Sequence, residues 1–591
     1  MRQDTNDTKI TRLRKRIDWL LLYLSLGCAI AILAHTGYQE HFYLDNWFNQ
    51  GIIVLFYCIT CVLCIRAVSN FLVRKSLLKS RYPELALALY FILIILDRQF
   101  HLLFPYNDPA WVYLGFFAVF IVELSKNVLF FDRFYFSPTL LFIISFLFMI
   151  FIGTVLLLLP NVMVGPPLNF VDALFMATSA VCITGLTVVD VSADFTSFGQ
   201  TILIVLVQLG GLGIMTFTGF FGYFFSGGFS YKNQLMYTEL LGEKKLNSVI
   251  GTLLKIIFVT LLFEAIGAIL IFQSTSDKLF PSVHDHFFFA VFHAISAFCN
   301  AGFSTVRDGL YHPSLRFNSS LHMVLALLFI LGGLGFTIVF NTFTFIKRWI
   351  KNFYFKLVHH RPFKYRPWVI NFNARLIGYT SLFLLVLGTL AIFILESGHS
   401  LSHYDTTWAK LIDAFFIGAT PRSAGLSPID PNTLRLSSIF ILLWLMWIGA
   451  SPGSTGGGIK TTTFAVATLN LFSLAKGKDH IEIFRRGISR DSVRRAFAVI
   501  ALSIIGIGLC IFGLTLTDGD KNPIALVFES FSAYNTVGLS MGITSTLTRG
   551  GRIILILAMF IGRVGALTLL LAFIKKRPLQ NYRYPEENIL F

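Results

Sequence analysis

The chain has 591 residues, 55% of them hydrophobic and 13% charged, with a mean hydropathy of +0.71, a balance that excludes an ordinary soluble globular protein and places it in a bilayer. Its formal net charge of +17 is gathered at 12–16, 66–81, 347–366, 476–495 and 575–583, while 161–200 holds neither Lys nor Arg. That is the positive-inside pattern of a multi-pass membrane protein with both termini in the cytoplasm, and it excludes nucleic acid as the partner.

In chain order, residues 1–136 form an N-terminal membrane region with four apolar runs, near 19–34, 51–67, 85–96 and 111–124. The first run follows Arg12-Leu-Arg-Lys-Arg16 as a signal peptide would, but no small-residue cleavage site comes after it. It reads as a retained helix. Cys58, Cys61 and Cys64 share a helical face without His or acidic neighbours, which suits small apolar residues better than soft metal ligands. Asp97-Arg98 and Glu123 predict an internal polar contact, and the absence of a regular arginine series argues against a voltage sensor.

From residue 137 the sequence repeats. The segments 137–228, 248–347, 370–475 and 494–575 each predict a spanning helix, a short apolar stretch, a loop and a second spanning helix, followed by a cytosolic tail at 576–591. The loops align without gaps as Ser179-Ala-Val-Cys-Ile-Thr-Gly185-Leu-Thr, Ser296-Ala-Phe-Cys-Asn-Ala-Gly302-Phe-Ser, Ala419-Thr-Pro-Arg-Ser-Ala-Gly425-Leu-Ser and Ser532-Ala-Tyr-Asn-Thr-Val-Gly538-Leu-Ser. The copies lie a little over a hundred residues apart, too far for a solenoid and right for a helix–pore-loop–helix unit. The fold class is therefore all-α and polytopic, with four pseudo-symmetric units around one pore.

The short stretches at 171–180, 286–297, 411–420 and 523–533 are too short to span and read as re-entrant helices. Their C-terminal ends carry partial negative charge into the membrane and favour a cation there. Gly185, Gly302, Gly425 and Gly538 supply the backbone freedom needed to turn successive carbonyls inward, where they replace the hydration shell of K⁺.

The second helices repeat as well: Leu209-Gly-Gly-Leu-Gly213, Leu331-Gly-Gly-Leu-Gly335 and Ile561-Gly-Arg-Val-Gly565, small residues that permit close helix approach. The third copy departs with Gly449-Ala-Ser-Pro-Gly-Ser-Thr-Gly-Gly-Gly-Ile-Lys460, where no regular helix survives. Gly453, Ser454, Thr455, Gly456, Gly457 and Gly458 predict a mobile intramembrane gate loop that ends near Lys460. The spacing misses the Walker pattern, which excludes nucleotide binding at the loop.

Arg563 stands where the first two copies have Gly211 and Gly333. A buried cation in that place is expected to act as an electrostatic barrier or to touch the gate loop, and Arg422 to support the third loop from behind. Asp172, Asp285 and Asp413 read as caps of the short helices, Glu264 as a buried polar contact, and His284 and His286 as residues of a wet entrance without a metal cage.

The segments 177–190 and 449–463, with the tail Tyr582-Arg-Tyr-Pro-Glu-Glu587, resemble the Trk/Ktr superfamily of K⁺ transporters, in particular its KtrB/TrkH membrane subunits, over about three-quarters of the chain. The resemblance implies a homodimer in the cell inner (plasma) membrane and a cytosolic KtrA/TrkA-like ring, so that nucleotide acts only through that partner. It implies filter carbonyls from Ile183 and Thr184, Asn300 and Ala301, Ser423 and Ala424, and Thr536 and Val537, each pair followed by its glycine, with K⁺ as the bound and transported ion and no covalent cofactor. Ktr-type members link transport to Na⁺. Two features depart from the family pattern: Pro421-Arg-Ser-Ala-Gly-Leu426 replaces the commoner Thr-Arg-Thr-Ala-Gly-Phe, and Ktr-type subunits lack residues such as 1–136. No catalytic residues are expected. The alternative function is the K⁺-binding subunit of an ATP-driven pump; a solute carrier with broken helices would need two such breaks and no four-loop filter.

Overall fold

The computed structural model describes residues 2–38, 45–73, 82–100, 110–128, 138–213, 249–276, 279–359, 372–404, 406–478 and 480–574. Helices α1 (Arg2–Gly37), α2 (Asp45–Val73), α3 (Tyr82–Phe100) and α4 (Ala110–Val128) share a core of their own. Phe56, Phe91 and Phe116 are buried at its centre, with the first two rings stacked at 5.1 Å. Glu123 of α4, expected in a polar contact with Asp97-Arg98, pairs with Arg66 of α2 at 2.8 Å, a partner the sequence did not single out; the side chains of Asp97 and Arg98 lie outside the described residues. Cys58 and Cys61 are exposed on α2. The end of α1 meets the rest of the chain where the Thr36 carbonyl accepts from Asn161 at 2.8 Å.

The remaining elements follow one order, described in full for the second, third and fourth copies and through its first three helices for the first. Helix α5 (Pro138–Leu157) precedes the short α6 (Phe170–Val181) and α7 (Ser197–Leu212). Next come α8 (Val249–Ser274), the short α9 (Val283–Phe298), α10 (Ser319–Leu334) and α11 (Phe336–His359). The third set is α12 (Phe372–Glu396), the short α13 (Thr407–Ala419), α14 (Leu436–Trp447) and α15 (Thr461–Ala475). The fourth is α16 (Arg490–Thr517), the short α17 (Pro523–Tyr534), α18 (Arg549–Val564) and α19 (Ala566–Phe573). Between α15 and α16 runs a two-residue-per-strand antiparallel hairpin, β1 (Glu482–Ile483) and β2 (Arg486–Gly487).

Among the described residues, Trp19–Gly37, Leu254–Ser274, Phe372–Glu396 and Arg490–Thr517 are long and apolar enough to cross a bilayer. They turn Phe258, Ile394 and Leu509 outward, which is the surface a lipid-facing helix needs. The short helices are wedged inside, with Phe175, Phe292 and Phe528 fully buried at one shared register.

Hydrogen bonds at the helix starts explain these boundaries and revise two expected caps. Ser282 accepts from the Asp285 amide at 3.1 Å and donates to the Asp285 carboxylate at 2.8 Å, a reciprocal cap that starts α9 three residues before His286. Thr406 caps α13, which starts at Thr407, four residues before the sequence stretch beginning at Leu411, so Asp413 lies inside the helix and pairs with His322 of α10 at 2.7 Å. Asp172 is likewise no cap; it forms an ion pair with Arg552 of α18.

The inner helices also differ from expectation. A break was predicted only in the third copy, yet α10 and α18 both stop at a glycine of positive φ, Gly335 at 87° and Gly565 at 90°, and α18 and α19 meet at 83°. Gly213, at 73°, ends α7 in the same way. The sequence reading assigned these glycines to helix approach alone. Close approach belongs to their neighbours: Gly210, Gly332 and Gly562 each sit directly on the last carbonyls of a short helix, those of Val181, Phe298 and Tyr534.

Candidate functional site

Each short helix ends in a loop with the same backbone. Ile183, Asn300, Ser423 and Thr536 all adopt left-handed φ, at 57°, 61°, 71° and 49°, and two residues later Gly185, Gly302, Gly425 and Gly538 stand at 89°, 74°, 72° and 92°. For the β-branched Ile183 and Thr536 this conformation costs about 1–2 kcal/mol each, so the surroundings must hold it. Part of that hold is local: the amides of Thr184, Ala301 and Val537 bond back to the carbonyls of Ser179, Ser296 and Ser532 at 2.8, 2.7 and 2.8 Å. In the third loop, which has Ala419 in that place, Ala424 bonds to Thr420 instead, at 3.0 Å.

The rest of the hold is mutual. A β-carbon on Gly425 would stand 2.7 Å from the Val537 carbonyl oxygen, and one on Gly302 would stand 3.0 Å from that of Ala424. At Gly185 and Gly538 the carbonyl oxygens of Ala301 and Thr184 come closer still. First faces second, second faces third, third faces fourth and fourth faces first, so the four loops close into a ring. Glycine is required at all four positions because the missing side chain is where the next loop's carbonyl sits.

Against this ring lies the glycine-rich connection between α14 and α15. A β-carbon on Gly456 would meet Ser423 at 2.9 Å, one on Gly458 would meet the Asn535 side-chain oxygen at 3.0 Å, and the Gly457 amide donates to Thr536 Oγ1 at 3.0 Å. Lys460 Nζ donates to the Gly456 carbonyl at 2.6 Å. The same loop is fastened to the break between α10 and α11, with Ser451 N donating to Gly333 O at 3.0 Å and Phe336 N to Gly453 O at 3.1 Å. Arg563 completes the arrangement, donating to the Thr455 carbonyl and, at 2.8 Å, to the Gly210 carbonyl of α7. The residues singled out at 453–458, Lys460 and Arg563 are thus brought together directly beside the ring.

Other candidates fall behind it. Arg422 donates to the Ser381 carbonyl of α12 at 3.4 Å, away from the ring. Glu264 accepts from Gln208 Nε2 at 3.1 Å and from Cys299 Sγ at 3.7 Å, the buried contact expected of it. His286 is stacked on Phe272 and Phe280 and shares a 2.6 Å hydrogen bond with Thr275. Sequence reasoning passed over His322 and Arg552, although a titratable side chain within or at the edge of an apolar run was the available signal for each.

Long apolar helices around four half-length helices whose loops meet in a carbonyl ring define a polytopic membrane protein built to handle an ion. Residues 137–583 match the TrkH family, described as cation transport proteins. Ktr system potassium uptake protein B of Bacillus subtilis is 38% identical over 463 residues, 77% of this chain and 96% of the relative. Potassium/sodium uptake protein NtpJ of Enterococcus hirae is 33% identical over 77% of this chain and 97% of its own length. The crystal structure of the potassium transporter TrkH from Vibrio parahaemolyticus shares the fold with a TM-score of 0.59 at 18% identity, covering 84% of this chain and 98% of that one. The chain belongs to the TrkH family of cation transport proteins, as the resemblance in its loops implied, and this places it among transporters and not among enzymes.

Proposed function

We propose that this protein takes up K⁺ across the cell membrane through the ring formed by the four glycine loops. The observation that carries the reading is the ring itself: each glycine admits the neighbouring loop's carbonyl, which supplies a closed set of oxygens in place of water around a dehydrated monovalent cation. The filter oxygens come from Ile183 and Thr184, Asn300 and Ala301, Ser423 and Ala424, and Thr536 and Val537. The loop at 453–458, held by Lys460 and Arg563, is the gate, because it rests on the ring and must leave before an ion passes. Names of the curated relatives, a Ktr potassium uptake protein and a potassium/sodium uptake protein, support K⁺ as the substrate and make Na⁺ dependence the second property to measure.

The proposal extends to a homodimer with cytoplasmic termini, opened by a cytosolic nucleotide-binding ring. The test is growth of K⁺-uptake-deficient cells at low K⁺, paired with K⁺, Rb⁺ and Na⁺ flux in proteoliposomes. Replacing Gly302 or Gly538 with Ser puts a β-carbon into the ring and is expected to lower the K⁺/Na⁺ flux ratio about tenfold or more. An unchanged ratio in both variants would refute the filter.

A further inference from the structure

Two of the four short helices carry a buried polar side chain at one register, and both reach the same point of their loops. Glu529 of α17 and His293 of α9 each lie three residues before the serine that opens the aligned loop segment, and both are fully buried. Glu529 Oε1 accepts from Ser540 Oγ at 2.5 Å and from the Met541 amide at 3.2 Å. His293 Nδ1 is bonded to its own helix at the Phe289 carbonyl, 2.9 Å away, which leaves Nε2 to accept from Ser304 Oγ at 2.9 Å. Ser304 and Ser540 are equivalent residues, each two beyond its ring glycine. In the other two copies the same register holds Met176 and Phe416, which offer no such bond; Ser427, the counterpart of the two serines in the third loop, turns back on Ile429 at 2.6 Å, the turn Ser304 also makes with Val306, but without a helix side chain to meet.

The supported loops are the second and the fourth. In the ring the second loop touches the first and third, and the fourth touches the third and first, so the supported pair stands diagonally opposed. A loop tied to a buried side chain of its own helix two residues after its glycine is restrained from withdrawing from the axis; the third loop is tied one residue after its glycine instead, by Thr420 Oγ1 donating to the Leu426 carbonyl at 2.5 Å, and lacks this second tie.

We infer that His293 and Glu529 are specificity-determining positioning residues, which act through Ser304 and Ser540 to fix the width of the carbonyl ring along one diagonal. The inference rests on the proposal that the ring is the K⁺ filter and names what sets its selectivity. Oxygens held at a set distance suit K⁺ and Rb⁺; a diagonal free to contract accepts the smaller Na⁺.

The test is the K⁺/Na⁺ flux ratio of purified variants in proteoliposomes, a readout that loss of protein alone does not move. Glu529→Ala, Ser540→Ala, His293→Leu and Ser304→Ala are expected to lower the ratio roughly tenfold, the effect of one buried hydrogen bond. Glu529→Gln, whose amide oxygen still accepts from Ser540 and Met541, keeps it within about twofold. The double variant Glu529→Ala/Ser540→Ala falls no further than Glu529→Ala alone, which already removes the bonds to both Ser540 and Met541. Met176→Leu and Phe416→Leu leave the ratio unchanged. The serine variants delete a single hydroxyl and keep the test open if the larger changes at 293 or 529 do not fold. A ratio unmoved by Ser304→Ala and Ser540→Ala, while Gly302→Ser and Gly538→Ser lower it, overturns the positioning role and leaves the filter standing. If the glycine variants also have no effect, the filter fails and the inference with it.

Discussion

Arg563 fastens the glycine-rich loop to a helix of another copy through two carbonyls, those of Thr455 and Gly210. Replacing it with Gln removes the charge and the two-pronged reach together, and charged hydrogen bonds contribute about 1.5–3 kcal/mol each. Arg563→Gln is therefore expected to raise Rb⁺ uptake into proteoliposomes several-fold without any cytosolic partner; a fall would mean that the arginine does not restrain the loop. Asp518, just past the end of α16, shows a different use of charge. Burial alone would raise its pKa, but it accepts from the Thr548 amide at 2.7 Å and from the hydroxyls of Thr517 and Thr548 at 2.8 and 2.9 Å, and the net effect holds its carboxyl below the usual value. A depressed pKa stabilises the fold above the unfolded value, about 3.9, and that contribution is lost as pH falls through the folded one. Asp518→Asn should cost about 1–2 kcal/mol at neutral pH, read as a lower Tm, with the gap to the parent closing below about pH 4. The pairings of Asp172 and Asp413 escaped sequence reasoning because a cap is a local pattern, whereas Arg552 and His322 arrive from helices distant in the chain.

The broken inner helices make a matched comparison possible between two glycines of nearly equal φ. Gly335 stands at 87° and Gly565 at 90°, so alanine meets the same backbone strain in both, about 1–2 kcal/mol. Their surroundings differ: a β-carbon on Gly335 would lie 2.7 Å from the Pro452 carbonyl of the glycine-rich loop, while one on Gly565 meets only Thr568 Oγ1 at 3.4 Å. Gly335→Ala is thus expected to displace the loop and change basal Rb⁺ flux, and Gly565→Ala to lower Tm by a similar amount while leaving basal flux near the parent's. Equal flux changes in both would assign the effect to strain and not to the loop. At this scale the sequence showed the loop in the third copy plainly, since Pro452 and a run of glycines cannot continue a helix. It did not show the other breaks, because Gly-Gly-Leu-Gly serves close packing and a left-handed stop equally well, and only the contacts of Gly210, Gly332 and Gly562 separate packing from stopping. The ring loops were legible because one backbone geometry recurs in one register; which carbonyl fills which glycine was not, since that is a relation between copies.

At the scale of the molecule, the chain divides unequally between what the Bacillus relative shares and what it does not. The family match begins at residue 137, and the Bacillus relative is covered over 96% of its length by 77% of this chain, so a protein of that length has no counterpart for α1–α4. These four helices bury their own aromatic centre around Phe56, Phe91 and Phe116 and keep their buried ion pair, Arg66–Glu123, within the bundle. Their described link to the remainder is small: the Thr36–Asn161 hydrogen bond and the packing of Gly37 against Leu159. Among the described residues, none of those that build the ring or hold the glycine-rich loop comes from them. Removing residues 1–136 is accordingly expected to leave K⁺ uptake and the K⁺/Na⁺ ratio within about twofold of the full chain, at a cost of about 1–3 kcal/mol where the part-buried Asn161 loses its bond to Thr36 and Leu159 is exposed. The measurement is flux per purified protein for the truncated and full chains side by side. A truncated protein that stays folded but loses the ratio would make the N-terminal bundle part of the filter's support, through the turn at Pro160–Val162 that α1 contacts.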